Sequence, residues 1–285
     1  MMPSRSPVAQ IRRPFVKILL IGDSGQVGTL LKPAFGAHDV RGVHRPDIDL
    51  LDGASIERAV RENDPDAVVL AAGLANADLC EERPGDAYAV NVDGLRRVAE
   101  ASRGRGFLSF STDHVFDGRS GPYAEEDEPA PLSVYGRTKL EGERIALTVH
   151  PRALVVRTTL VFARGDRSFF SRLVTAVDPV PCWTDHFATY TYGPMLAEAA
   201  TELLERGASG LWHVTGTDVL SRYEFALRVA ARWGKDPALY RPVPFRQSPP
   251  RAPRPLRAGL RTDKAREFLR TKLLSTDEAL TLIPR

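Results

Sequence analysis

The sequence predicts an α/β protein built on a doubly wound parallel sheet, with a smaller, discontinuous substrate domain toward the C-terminus. Short apolar runs alternate with amphipathic segments over the first 160 residues, as strands and helices do when they alternate along a chain. A glycine-rich turn follows the first apolar run directly. Together these observations favour a fold of the Rossmann type, in which ligands bind at the carboxyl ends of the strands.

Six apolar runs predict the strands of this sheet. The first, Val16–Ile21, is apolar apart from Lys17 and ends at a glycine, which fits a strand buried on both faces. Apolar residues recur at helical spacing between the runs, and a capping box opens the last helix. Further strands are predicted at residues 40–43, 67–72, 107–111, 153–158 and 211–214, and helices at 26–35, from 55, at 86–103, around 135 and at 221–233.

The alternation is interrupted after about residue 160, which predicts a second unit. We expect residues 16–160 plus about 200–215 to form the dinucleotide-binding Rossmann domain. Residues about 161–199 and 216–285 are expected to form the substrate-binding domain, discontinuous in sequence. Residues 1–15 are expected to be a disordered leader.

Composition narrows the class of partner. The 285 residues include 39 basic and 36 acidic side chains, a net charge of +3, and no long basic stripe of the kind that binds nucleic acid. The apolar run at 16–21 is far too short to cross a membrane. Cys80 and Cys182 are too few and too far apart for a disulfide framework, so we expect reduced thiols and a cytoplasmic protein.

The glycine-rich turn, Gly22-Asp-Ser-Gly25-Gln-Val-Gly28, joins the first predicted strand to the first predicted helix. Gly22 permits the tight turn, Gly25 lets the backbone approach a pyrophosphate, and Gly28 permits close packing of helix on strand. The helix N-terminus then faces the anionic phosphates. In this context we expect Gln26 and Val27 to line a dinucleotide site together with the three glycines.

The end of the second predicted strand indicates which dinucleotide binds. A carboxylate there would accept a hydrogen bond from the ribose 2′-hydroxyl, whereas an arginine would bind a 2′-phosphate. The segment Val40-Arg-Gly-Val-His-Arg45 has no acidic residue at its end, which favours NADPH with Arg45 as the 2′-phosphate contact. The alternative is that Arg45 is a solvated loop arginine, and NADH stays a possible cofactor.

Tyr135 and Lys139 are expected to carry the chemistry, because residues four apart share one face of a helix. A free phenol has a pKa of about 10, and a neighbouring ammonium is expected to lower it toward the working range. Tyr135 could then supply the proton that ketone reduction requires. Thr112, at a strand end, could hydrogen-bond the same carbonyl oxygen. The sequence contains neither G-x-S-x-G around Ser24 nor metal-ligand spacing among its histidines, so we expect no hydrolase site and no metal.

Three segments carry a resemblance to a known family: Gly22 to Gly28, Ser111 to Gly118 and Pro131 to Glu143. They resemble the extended short-chain dehydrogenase/reductases and, within them, the dTDP-4-dehydrorhamnose reductase family. The resemblance extends from Val16 to Leu269, with weaker matches at Asp78, Glu81, Asn91 and Arg254-Pro255. It implies a cytoplasmic NAD(P)H-dependent reductase that acts on the 4-keto group of a dTDP-linked deoxysugar.

The resemblance also implies roles for individual residues. Thr112, Tyr135 and Lys139 would be the catalytic triad. The remaining implied contacts are Asp49 and Leu50 near the adenine, Ala71 and Ala72 along the nicotinamide half of the groove, and His114, Phe116, Leu160 and Arg254 at the substrate. His114 stands where the family usually has tyrosine, and Leu160 stands where rhamnose-forming members have tryptophan. Because these departures face the sugar, the sugar's identity stays open.

Other functions are compatible with the same residues. Sugar-nucleotide epimerases and dehydratases share the fold and the triad, and Asp113-His114 is a weak hint of a dehydratase. Because a fold does not fix a function, a non-enzymatic role is also weighed. The regulatory β subunit of methionine adenosyltransferase is similar to this family and binds NADP while it serves a partner. We expect a dTDP-sugar-like small molecule as the partner, no nucleic acid and no membrane, and we allow for a homodimer.

Overall fold

The computed structural model describes residues 16–165 and 168–285, so the predicted leader at 1–15 lies outside the described residues. Twelve strands are found in this part of the chain. They are β1 Lys17–Ile21, β2 Asp39–Val43, β3 Ala67–Leu70, β4 Gly106–Thr112, β5 Ala153–Thr158, β6 Val161–Phe162, β7 Val180–Trp183, β8 Phe187–Thr189, β9 Thr191–Tyr192, β10 Gly210–His213, β11 Val219–Ser221 and β12 Tyr240–Val243.

Six of these strands form the central sheet, in the order β10-β5-β4-β3-β1-β2. Every neighbouring pair in this sheet is parallel. The chain starts in β1, moves outward to β2, and then returns to the other side of β1 to build β3 and the remaining strands. The predicted α/β fold with a doubly wound parallel sheet is therefore confirmed, and its topological switch point lies between β1 and β3.

Helices connect the strands and cover the sheet. The α-helices are α1 Gln26–Ala34, α2 Gly53–Asn63, α3 Ala77–Glu82, α4 Pro84–Tyr88, α5 Leu95–Ala101, α6 Val134–Val149, α7 Phe169–Val174, α8 Gly193–Glu205, α9 Arg222–Trp233, α10 Asp263–Phe268 and α11 Thr276–Leu282. The predicted capping box is present at the start of α9, where Ser221 and Glu224 each bind the other's backbone N–H.

Two predicted elements differ from the structure. The strand expected at 67–72 ends at Leu70, so Ala71 and Ala72 belong to the connection that leaves the sheet edge. The helix expected at 86–103 is not continuous, because a π-helical turn at Ala89–Gly94 separates α4 from α5. Such turns interrupt the regular hydrogen-bond ladder and are frequent at functional sites.

The protein has two large apolar clusters at the central sheet and a third away from it. One sheet cluster includes Leu19, Val68, Val98 and Ile145, and the other packs α1 and α8 against the sheet. The third joins α7, α9 and α11 around Phe225. The strand pairs β11–β8, β12–β7 and β6–β9 lie outside the central sheet. The packing groups α8 with the sheet, while the two-domain division stays a prediction.

In the described ranges, no helix is both long and apolar enough to cross a membrane.

Candidate active site

A cavity of about 400 Å³ opens at the carboxyl edge of the central sheet. Residues that follow β1, β3 and β4 line one side of it, and residues of α6 line the same side. The opposite side comes from the segment after β5 and from residues near β8, β9 and α9. The cavity therefore lies at the switch point of the sheet, where open α/β folds bind their ligands.

The glycine-rich turn closes tightly at the end of β1. Gly22 has a φ of +92°, and a Cβ added there would lie 2.6 Å from the backbone nitrogen of Ala72. A Cβ added at Gly28 would lie 2.1 Å from the carbonyl oxygen of Gly22. A Cβ on Gly25 would meet only that same oxygen, at 3.3 Å. Gly22 and Gly28 thus permit the turn and the close packing, and Gly25 leaves its outer face open for an approaching group.

The connection after β3 is held to α6 by one amide side chain from the π-helical turn. Asn91 Oδ1 accepts a hydrogen bond from Leu74 N at 2.8 Å, and its Nδ2 donates to Leu74 O at 3.0 Å. The same Nδ2 donates to Thr138 Oγ1 at 3.1 Å. The cavity wall at residues 71–75 and the helix that bears Tyr135 are therefore fixed relative to each other.

Tyr135 lies in the first turn of α6, which begins at two side-chain contacts. The Ser133 hydroxyl accepts from Gly136 N at 3.1 Å, and the Glu81 carboxylate accepts from Val134 N at 2.6 Å. Lys139 lies one turn further along, and its Nζ donates to the carbonyl oxygen of Phe110 in β4 at 2.6 Å. Both side chains line the cavity, as the four-residue spacing predicted.

Burial, rather than the neighbouring ammonium, dominates the protonation of Tyr135. Burial raises the pKa of the Tyr135 phenol above its ordinary value, and a hydrogen bond with the Thr112 hydroxyl acts in the opposite direction. Burial lowers the pKa of Lys139 to about 8, while the charge of Glu143 raises it. The expected lowering of the Tyr135 pKa is therefore wrong for this structure, because the loss of water around the phenol outweighs the nearby positive charge.

The end of β4 places a hydroxyl and a carboxyl group beside the phenol. Thr112 Oγ1 lies 3.1 Å from Asp113 Oδ1 and accepts a hydrogen bond from His114 N at 3.2 Å. Burial raises the pKa of Asp113 to about 7, although its hydrogen bond with Thr112 lowers it. The His114 ring meets the Tyr135 ring edge-on, with 5.3 Å between their centroids.

The far wall of the cavity carries polar atoms that have no protein partner. Tyr190 and His186 are 3% and 5% exposed, yet the Tyr190 hydroxyl and His186 Nδ1 make no hydrogen bond within the described part of the chain. Among the described residues, the other buried cavity-lining atoms without a hydrogen-bond partner are Arg222 Nε, one terminal nitrogen of Arg254, and, beside Tyr135, Ser111 Oγ and His114 Nδ1. Since buried polar groups are normally paired, these atoms indicate a site for a polar ligand.

Two arginines that line the cavity, Arg222 and Arg254, are held in place by different kinds of contact. The Arg222 guanidinium lies 4.2 Å from the Trp183 ring centroid and 5.0 Å from that of Phe169, and no ion pair of Arg222 is found among residues 16–165 and 168–285. Arg254 forms an ion pair of 3.1 Å with Asp78, which also accepts from Ala252 N. The wall thus offers one arginine fixed by aromatic rings and one fixed by a carboxylate.

Positive charge and burial keep the cavity histidines neutral. Burial, and to a smaller extent the charges of Arg254 and Arg222, lower the pKa of His114 to about 3. Burial also lowers the pKa of His186 to about 3, with Arg222 as the next cause. Both rings are therefore uncharged hydrogen-bonding groups at neutral pH.

The structure brings together most of the predicted site residues. Those that line the cavity are Gln26, Val27, Ala71, Ala72, Thr112, His114, Tyr135, Lys139, Leu160 and Arg254. Gly22, Gly25 and Gly28 form the turn beside it, and Arg45 is exposed just after β2. Asp49 accepts from Leu51 N, and Leu50 is buried in a sheet cluster.

The assignment of Phe116 to the substrate site is wrong. Its side chain is fully buried, does not line the cavity, and stacks on Tyr123 at 4.1 Å between centroids. The 3₁₀ turn Asp113–Val115 directs His114 to the cavity and Phe116 into a separate apolar cluster. The residue types alone did not indicate on which side of that turn each side chain would fall.

Sequence reasoning missed several cavity residues. Phe225 and Arg222 both lie in α9, far along the chain from Thr112 and Tyr135, and their place at the cavity follows only from the fold. Arg222 stands directly after the capping serine, and this position in the sequence does not point to a ligand without coordinates.

Tyr135 keeps its proton and lies with Lys139 at a cavity that has the features of a dinucleotide site. This arrangement suits a reaction that transfers a hydride to a carbonyl carbon and a proton to its oxygen. In the described ranges, no group of three or more His, Cys, Asp or Glu side chains is arranged to hold a metal ion. Fold and site together define an oxidoreductase of the extended short-chain dehydrogenase/reductase class.

Comparison with known proteins gives the family. The model described as the RmlD substrate binding domain matches residues 16–283, and the chain belongs to that family. It is 32% identical over 275 residues to the dTDP-4-dehydrorhamnose reductase of Mycolicibacterium smegmatis, which covers 93% of this chain and 84% of the relative. The resemblance inferred from the three sequence motifs is thereby confirmed.

Solved structures agree with this membership. The dTDP-4-dehydrorhamnose reductase of Bacillus anthracis, in complex with NADP, superposes with a TM-score of 0.89 at 25% identity and covers 93% of this chain and 97% of that one.

By sequence, the β subunit of methionine adenosyltransferase 2 from Pongo abelii is also similar, at 28% identity over 82% of this chain and 77% of the relative.

Proposed function

We propose that the protein is an NADPH-dependent reductase of the 4-keto group of a nucleotide-linked deoxysugar. The observation that carries this proposal is the common position of Thr112, Tyr135 and Lys139 on one wall of the cavity at the sheet's switch point. The reductase names of the family relatives support the same reaction.

The residues present fit a nicotinamide dinucleotide. The open face of Gly25 suits a pyrophosphate, and the segment at Ala71 and Ala72 would hold the nicotinamide half. Arg45, Asp49 and Leu50 would hold the adenosine half. When bound, the reduced nicotinamide supplies the hydride for the carbonyl carbon.

The protein's own residues would supply the proton. The raised pKa of Tyr135 keeps the phenol protonated at neutral pH, so it can donate to the oxygen that gains charge. The Thr112 hydroxyl would hold that oxygen in place and stabilise the phenolate that remains. The Lys139 ammonium, held by the Phe110 carbonyl, would stabilise the same phenolate by its charge.

The far wall would bind the sugar nucleotide. The unpartnered atoms of His186 and Tyr190 on this wall, and of His114 beside Tyr135, suit sugar hydroxyls, since neutral imidazoles and phenols can donate and accept. Arg222 and Arg254 suit the diphosphate, because guanidinium groups bind phosphate oxygens through paired N–H groups. Leu160 would contact the sugar where rhamnose-forming members carry tryptophan.

The remaining expectations are a cytoplasmic location and a homodimer. Cys80 and Cys182 are both free and buried, which supports a reducing compartment. A homodimer would be tested by light scattering on the purified chain.

A panel of 4-keto sugar nucleotides, with NADPH absorbance as the readout, tests the proposal. We expect oxidation of NADPH with at least one dTDP-linked 4-keto-6-deoxysugar. An epimerase would retain its nicotinamide and show no net oxidation. No oxidation with any substrate, together with copurification of a methionine adenosyltransferase, would favour the regulatory function instead.

A further inference from the structure

The end of β2 lacks the acidic residue that reads the cofactor ribose in many dinucleotide-binding folds. In those folds an Asp or Glu about 20 residues after the glycine-rich turn bonds the ribose 2′-hydroxyl. Here the strand ends at Val43, and the next residues are His44 and Arg45, both exposed. From β2 alone, the edge of the cofactor site would carry only basic groups.

The glycine-rich turn brings a carboxylate to this same place. Asp23 follows Gly22, and its Oδ1 lies 2.6 Å from His44 Nδ1. Its other oxygen lies against Gly42, where an added Cβ would come within 2.2 Å of it. The carboxylate therefore occupies the space that a side chain on β2 would fill, and the backbone contact from Gly22 N to Val43 O at 2.8 Å fixes the turn there.

The charges around Asp23 are mixed. Lys32 Nζ lies 3.8 Å from Asp23 Oδ2 but is 57% exposed, so solvent weakens that pair. Asp23 itself is 12% exposed, and each carboxylate oxygen can accept more than one hydrogen bond. Arg41 and Arg45 are the exposed cations on the same strand and its connection. A negative group and several positive groups thus share the edge where the 2′ position is read.

We propose that Asp23, rather than a residue of β2, reads the 2′ position of the cofactor's adenosine ribose and keeps NADH usable beside NADPH. Its carboxylate can accept a hydrogen bond from a 2′-hydroxyl and repels a 2′-phosphate. The nearby Arg41, Arg45 and Lys32 offset that repulsion, so NADPH still binds. The proposal rests on the proposed use of a nicotinamide cofactor, and it is independent of the sugar.

Dissociation constants of NADPH and NADH, measured by titration of cofactor fluorescence without substrate, test this proposal. The variant is Asp23→Asn, which keeps the shape of the side chain against Gly42 and removes its charge. The ratio of the NADH constant to the NADPH constant should rise about tenfold or more, because the repulsion and the charged acceptor are lost together.

The matched control is Asp39→Asn, at the opposite end of β2 and exposed. It removes one carboxylate charge at a distance from the turn that carries Asp23 and should leave the ratio unchanged. An equal change in both dissociation constants for Asp23→Asn would show that Asp23 only supports the turn. The same shift of the ratio in Asp39→Asn would show that net charge alone causes the effect. Either result overturns the proposal. Wild-type protein that binds neither dinucleotide would instead overturn the proposed function.

Discussion

Arg157 and Glu143 form a bidentate ion pair buried beneath the Tyr135 helix. Arg157 Nε lies 2.9 Å from Glu143 Oε1, and its NH2 group lies 2.7 Å from Oε2. The two side chains are 2% and 4% exposed. The pair joins β5 to α6, and so links the sheet to the helix that carries Tyr135 and Lys139.

Loss of one partner of this pair should destabilise the fold. Glu143→Gln leaves a buried guanidinium without a counter-charge, which costs about 3–5 kcal/mol of unfolding free energy in comparable buried pairs. Chemical denaturation of the variant measures the change. Asp263→Asn removes an exposed ion pair with Arg261 and should leave the unfolding midpoint nearly unchanged. Equal midpoints for both variants would show that the buried pair is not important for stability.

Replacement of the phenol should stop the chemistry but not cofactor binding. Tyr135→Phe removes only the hydroxyl that donates the proton, so turnover should fall by about 10²–10⁴-fold. The dissociation constant of NADPH should stay within a factor of about two, since the ring and its packing remain. Tyr88→Phe removes an exposed hydroxyl and serves as the control. Near-normal turnover of Tyr135→Phe would exclude Tyr135 as the proton donor.

The lowered pKa of Lys139 predicts an alkaline limit to activity. Because its pKa is about 8, Lys139 is charged below that pH and loses its charge as pH rises through it. The phenolate then loses a stabilising charge, so turnover should decline above pH 8. Lys139→Arg keeps the charge to higher pH and should move the decline upward, whatever its effect on the maximal rate. An unchanged alkaline limb in that variant would contradict the assignment.

Buried neutral histidines predict sensitivity to acid. The pKa values of His114, His186 and His213 are each lowered to about 3 by burial. The unfolded chain binds these protons from about pH 6.5 downward and the folded chain does not, so stability falls as pH falls from 6.5 toward 3. Each group contributes at most about 1.4 kcal/mol per pH unit.

Asp113 has the opposite effect on stability, because its pKa is raised to about 7 in the folded state. As pH falls below 7 the folded chain binds this proton before the unfolded chain does, which stabilises the fold. The histidines outnumber it, so the net change with acid is still a loss of stability. Urea denaturation between pH 7 and 4 measures the slope, and His186→Gln should make it shallower. A slope unaffected by that substitution would show that His186 is not neutral in the folded protein.

Local patterns in the sequence predicted the parts of the site that depend on neighbours in the chain. The glycine-rich turn and the Tyr135–Lys139 spacing are set by one turn and one helix, and both lie where expected. The break at Ala89–Gly94 was not predicted. Asn91, Asp93 and Gly94 are weak helix formers, but low helix propensity alone does not indicate a π-helical turn.

Features that depend on distant parts of the chain were not predictable in the same way. The burial that raises the Tyr135 pKa, and the meeting of Tyr190 with Arg222, arise where distant parts of the chain line one cavity. Phe116 was misplaced for the same reason, since its apolar cluster includes Leu260 from near the C-terminus.

Arg222, for which no ion pair is found within the described ranges, gives the sharpest test of the far wall as the substrate site. Arg222→Gln keeps polarity but removes the charge that would bind the diphosphate, so the Michaelis constant for the sugar nucleotide should rise about 10²-fold. The dissociation constant of NADPH should not change, because Arg222 lies on the far wall, next to Trp183 and Phe169. Arg228→Gln, in the same helix but paired with Asp218, is the matched control and should behave as wild type. If Arg222→Gln leaves the Michaelis constant unchanged, or weakens NADPH to the same extent, the diphosphate does not bind at this wall.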